Sequence, residues 1–120
     1  MDLYNQVIQL CIQGSQAEFQ GRQPDAQTLY QLAWETAKND YEKCIAAHYV
    51  ARLVKTPVES LKWDQEALNR ANAVNHDLVK DFYPSLYLCM GHSYERLGNL
   101  AEAQRYFDLA ASLGAVHQPE

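Results

Sequence analysis

One glycine constrains this chain more than any other residue. Gly98 sits between two runs with helical periodicity, inside YLCMGHSYERLGNLAEAQRYFDLAASL from Tyr87 to Leu113. Before it, Tyr87, Met90, Gly91 and Tyr94 fall at i, i+3, i+4 and i+7, one face of a helix. Glycine accepts the left-handed backbone that a helix end needs, so Gly98 predicts a stop. Asn99 and Glu102 then have capping-box spacing and open a second helix, with Ala103, Phe107 and Ala110 as its inner stripe. Gly91 is expected opposite Ala103, two small residues that let the helices approach. The whole is a helical hairpin with a short turn.

The same signals recur upstream. Ala26, Tyr30 and Ala33 repeat the spacing of Ala103, Phe107 and Ala110, and Gly21 precedes Ala26 as Gly98 precedes Ala103. Ser60 and Ala67 match the first and third members in the middle of the chain. Thr56 with Glu59, and Asn39 with Glu42, add two capping boxes. Pro24 and Pro57 each suit the first turn of a helix. Ala26 to Ser60 spans 34 residues and Ser60 to Ala103 spans 43, so about nine residues are inserted before the third copy. Helices are expected over about 2–20, 24–38, 39–54 and 57–75. His76 to Tyr83 reads as one or two extra helical turns, with Pro84 kinking or interrupting the helix there.

This pattern resembles the tetratricopeptide repeat. The resemblance spans nearly the whole chain, strongest in the third copy and weakest in the second. It implies an all-α fold: three antiparallel helical hairpins (4–38, 39–74 and 84–116, with 75–83 inserted) stacked as a right-handed superhelix in one domain, 1–120. It also implies a non-catalytic module that binds a peptide or protein segment on a concave face lined by the first helix of each hairpin. Carried residue by residue, that face holds Cys11, Ser15, Glu42, Tyr49, Arg52, Cys89, His92 and Glu95. Of the basic and amide residues with which chaperone-binding members clamp a terminal carboxylate, only Arg52 is present, so chaperone tails are not the expected ligand.

Two residues depart from the repeat. Asp64 stands where the other copies have Tyr30 and Phe107, and His48 stands where they have Gly14 and Gly91. An unpaired carboxylate in a core position is costly. Trp63 is expected to supply the missing bulk, and a His48–Asp64 hydrogen bond across the hairpin to satisfy both polar groups. Tyr49 has no packing role in the pattern, which marks it as a binding aromatic.

Other chemistries have little support. Cys44 with His48 and Cys89 with His92 have ligand-like spacing, but no CxxC or HxxxH pair accompanies them, and buried cysteines behave as small hydrophobes. A cysteine nucleophile with a histidine base lacks any orienting group at recognisable spacing. No phosphate-binding glycine loop is present. His92 and Glu95 form an i, i+3 pair of the ordinary solvated kind. No metal, cofactor or catalytic residue is therefore assigned. A Cys/His-dependent enzyme ranks below both a binding module and a self-associating structural protein.

The formal charge of −5, with no basic run, argues against nucleic acid. No apolar stretch is long enough to cross a membrane, and the N-terminus lacks a leader pattern. Three widely spaced cysteines do not make a disulfide framework, so a cytoplasmic setting is expected. The last helix carries a second stripe, Tyr106, Leu109, Leu113 and Val116, with nothing left in the chain to cover it. That stripe predicts either a homodimer packing this helix on its copy or a monomer with the C-terminal tail folded back over it.

Overall fold

The computed structural model describes residues 3–115. Six long helices, one single-turn helix and a 3-10 turn make up the fold, and no strand occurs among the described residues. α1 spans Gln6–Phe19, α2 Gln23–Thr36, α3 Asp40–Val50 and α4 Pro57–Asn72. The insertion becomes α5, His76–Val79, followed by a 3-10 turn, Lys80–Phe82. α6 spans Tyr83–Arg96 and α7 Leu100–Ser112.

Local chemistry explains most of these boundaries. Asn5 caps α1, accepting from the Val7 and Ile8 amides at 2.9 and 3.2 Å. Asn39, Thr56 and Asn99 accept from the amides of Glu42, Glu59 and Glu102. These side chains satisfy donors that no carbonyl within the helix can reach. Gly21 and Gly98 have φ of 80° and 79°, the backbone that ends α1 and α6 at their turns. Pro84 does not kink a helix. It lies in the first turn of α6, directly after the 3-10 turn, where its missing N–H costs nothing. α1 starts later than expected, leaving Tyr4 ahead of it and exposed.

Each long helix packs on the next: α1 on α2, α3 on α4, α6 on α7, with α2 meeting α3 and α4 meeting α6 across the hairpin boundaries. In the first hairpin the Tyr30 ring lies over Gly14, where a Cβ would come 2.6 Å from Tyr30 Cδ1. In the third, Phe107 lies over Gly91 in the same way, with Cδ1 again 2.6 Å from a built Cβ. Gly91 thus lies directly under the Phe107 ring. Burying each ring is worth about 1.5–3 kcal/mol. Trp63 does not substitute for them: it meets Trp34 of α2 edge-on at 5.0 Å.

The insertion alters how the hairpins stack. α1 packs closely against α3, whereas α6 reaches α3 through side chains, Leu86 and Met90 sharing a cluster with Cys44 and Ala47. Val79 is fully buried among Leu68, Ala71, Leu86 and Met90, and Phe82 stacks on Tyr41 of α3 at 6.1 Å. The start of α6 is therefore anchored.

The expected self-association stripe is covered only in part. Tyr106 is buried, stacked on Tyr94 at 5.8 Å and tilted against Tyr87 at 6.1 Å. Leu109 is half-buried against the same cluster, whereas Leu113 is exposed. The two α6 tyrosines are long enough to reach over the face that register alone assigns to solvent. Val116 lies outside the described residues.

Candidate functional site: a cleft in place of an aromatic knob

The middle hairpin has Asp64 and His48 at the spacing at which the outer hairpins have an aromatic ring over a glycine. A cleft of about 510 Å³ opens between α3, α4 and α6. Asp64 and Ser60 of α4 line it together with His48 of α3 and Cys89 and Ser93 of α6. Arg52, Lys55 and Arg96 contribute its cationic groups. His48 also borders a smaller cavity of about 150 Å³ towards Phe82 and Leu86, so its ring is a wall between the two spaces.

Asp64 is 4% exposed and accepts a 2.6 Å hydrogen bond from the Ser93 hydroxyl. Burial pushes its carboxyl up to about 6, against the pull of the Ser93 bond and of Arg96. The expected His48–Asp64 bond is not made. The His48 Nδ1 lies 3.9 Å from Cys89 Sγ instead, and burial followed by the nearby Arg52 charge holds the imidazole below its usual value. The two departures do face one cleft, but α6 supplies the partner of each. Ser60 is satisfied separately, donating to the Ala51 carbonyl at 3.2 Å.

Arg52 is held by Glu18 of α1, with Nη2–Oε2 at 2.8 Å and Nε–Oε1 at 3.1 Å. Glu18 also accepts from the Tyr30 hydroxyl at 2.8 Å. This chain of contacts ties the first hairpin to the rim of the cleft.

Of the residues expected on the concave face, Arg52 and Cys89 line the cleft. Cys11 does not belong to a surface: it is buried among Val7, Ile8 and Ala33. Ser15 is half-buried, 3.3 Å from the Tyr30 hydroxyl. Glu42 is engaged by the Lys38 amide at 2.9 Å and by Asn5 Nδ2 at 2.8 Å, which joins the starts of α1 and α3. Tyr49 does pack, at 5.3 Å from the Tyr30 ring and 5.5 Å from His48. His92 lies 3.7 Å from Glu95 and edge-on to Phe107 at 5.3 Å, outside the cleft lining. Sequence reasoning missed Lys55, Ser93 and Arg96. It flagged His48 and Asp64 only as misfits, although two complementary misfits in one hairpin are the signal of a site.

The thiols are poor nucleophiles. Burial pushes Cys11 and Cys89 up to about 12 and Cys44 up to about 11. Among the described residues no three His, Cys, Asp or Glu side chains are grouped to hold a metal ion, and no helix is long and apolar enough to cross a membrane. In comparisons with known proteins, no family model, no curated protein and no solved structure matches the chain.

Proposed function

We propose that this chain is a non-catalytic protein-interaction module of tetratricopeptide type, with its hairpins stacked in a right-handed superhelix, and that it grips a segment of another protein at the cleft between α3 and α6. The observation that carries this reading is the cleft itself. Two hairpins fill the same position with their own aromatic ring, while the middle hairpin leaves it open and lines it with polar groups. An open polar cleft in a packed seam sacrifices burial, and a bound side chain recovers it. The Gly14–Tyr30 and Gly91–Phe107 contacts support the repeat reading, because unrelated hairpins would not share one glycine-to-aromatic spacing. A binding role is favoured over nucleophilic catalysis by the raised thiols and by Ser93, which donates to a carboxylate with no imidazole between them.

The test is to close the cleft. The double variant His48→Gly/Asp64→Phe rebuilds the arrangement of the outer hairpins. Wild type and variant are compared as baits in an extract of source cells, with circular dichroism to verify the fold. Proteins retained by the wild type and lost from the folded variant support the reading. An identical retained set for both overturns the cleft as the gripping site.

A further inference from the structure

Taking the cleft as the gripping site, we propose that it receives an uncharged hydrogen-bond donor, a hydroxyl or primary amide on a side chain of the bound segment, which donates to Asp64 Oδ1. An ionised carboxylate takes several donors. The Ser93 hydroxyl serves Oδ2, and no other described residue donates to this carboxylate. Asp64 is only 4% exposed. Its Oδ1 is nevertheless not sealed in the core, because no carboxylate oxygen among the described residues is both fully buried and unbonded. The cleft that Asp64 lines is where that oxygen opens. A nearly buried carboxylate with one oxygen left unbonded, facing a space of about 510 Å³, is an acceptor short of a donor.

The other ligand classes fit worse, each for a separate reason. An anion finds the donors already committed. Ser93 gives its proton to Asp64, Ser60 gives its own to the Ala51 carbonyl, and Arg52 is spent on Glu18. Lys55 is exposed, where an ion pair is worth little. A lysine or arginine side chain would enter among Arg52, Lys55 and Arg96, and the Arg96 charge already acts on the Asp64 carboxyl. An apolar side chain strips solvent from Oδ1 and returns no bond, which leaves the buried acceptor unpaired. A hydroxyl or amide N–H supplies the missing bond, adds no charge to the cleft, and needs no donor from it.

The experiment uses the full chain, labelled with nitrogen-15, at pH 8, where the Asp64 carboxyl is ionised. Five capped tripeptides of the form Gly-X-Gly carry glutamine, serine, leucine, glutamate or lysine as X. The expected result is saturable shifts of the Asp64 and Ser93 amides with the glutamine or serine peptide. That binding is roughly tenfold tighter than for the leucine, glutamate and lysine peptides. Whichever of the first two binds tighter identifies amide or hydroxyl as the donor. Asp64→Asn removes the charge-assisted acceptor and weakens that binding roughly tenfold. A leucine, glutamate or lysine peptide that binds as tightly as the donor peptides would overturn the proposal. So would undiminished binding in the folded Asn variant, or no saturable shift with either donor peptide. If neither donor peptide binds while the closed-cleft variant still loses its captured proteins, the donor is refuted and the interaction module stands. If the donor peptides bind through Asp64 but the closed-cleft variant captures the same proteins, the acceptor stands and the gripping site is refuted.

Discussion

Ser93 of α6 donates its hydroxyl to the buried Asp64 of α4 at 2.6 Å, beside a stretch of the seam packed by Leu68, Ala71, Leu86 and Met90. It satisfies the carboxylate only in part, because an ionised carboxylate has room for several donors. The remaining cost appears as the raised carboxyl value, and it sets how stability varies with pH.

Asp64 titrates at 3.8 when unperturbed and at about 6 in the fold. The folded state therefore holds its proton more tightly than the unfolded state. The stability linked to this group is full below about 3.8 and is lost as pH rises through about 6, a cost of roughly 3 kcal/mol above that. Asp64→Asn keeps an acceptor for Ser93 and removes the charge. It is expected to stabilise the chain by about 1–2 kcal/mol at pH 8, with the gain shrinking towards zero at pH 4. Urea denaturation of both proteins at the two pH values checks this.

The glycines under the rings invite a conflict between two rules. Alanine is the better helix former by about 1 kcal/mol, but a Cβ at Gly14 or Gly91 would stand 2.6 Å from a ring carbon of Tyr30 or Phe107. Overpacking wins, and Gly14→Ala and Gly91→Ala each lower stability by about 1–3 kcal/mol. Thermal melts with unchanged or raised midpoints would contradict the packing described here.

In the middle hairpin the same two positions are coupled in the opposite sense. Asp64→Phe alone drives a ring into His48, and His48→Gly alone enlarges a cleft. The two together fit. A double-mutant cycle is expected to give a favourable coupling of about 1–3 kcal/mol, read from denaturation midpoints of the four proteins.

Tyr49 and Arg52 separate under mutation. Tyr49 packs on Tyr30 and His48, so Tyr49→Ala costs about 2–4 kcal/mol. Arg52, with a half-exposed side chain in its pair with Glu18, costs less than about 1 kcal/mol on changing to alanine. Equal losses of stability in the two variants would refute this division.

What the sequence discloses here is what neighbours along the chain decide. The Asn39, Thr56 and Asn99 caps, the Gly21 and Gly98 stops and the stripes around Tyr30 and Phe107 depend on residues within a turn or two, and each stands where its spacing predicts. The cleft depends on where the insertion delivers α6. Ser93 and Arg96 are unremarkable polar residues until Val79 and Phe82 anchor the start of that helix against the second hairpin. Cys11 illustrates the reverse error: repeat register assigned it to the groove, but packing between α1 and α3 buries it. Helix register gives the direction of the Tyr106 Cβ and not the reach of Tyr87 and Tyr94 opposite, whose rings pack on it.

The α4–α6 seam is greasy at one end and wet at the other. Leu86 and Met90 fix the first half of α6 in an apolar cluster, while Ser93 and Arg96 border the cleft at the far half. Fewer apolar contacts hold the cleft end of the seam than the end near the insertion, so the cleft end is the expected place for local opening. Amide hydrogens near the end of α6 therefore exchange sooner than those around Met90.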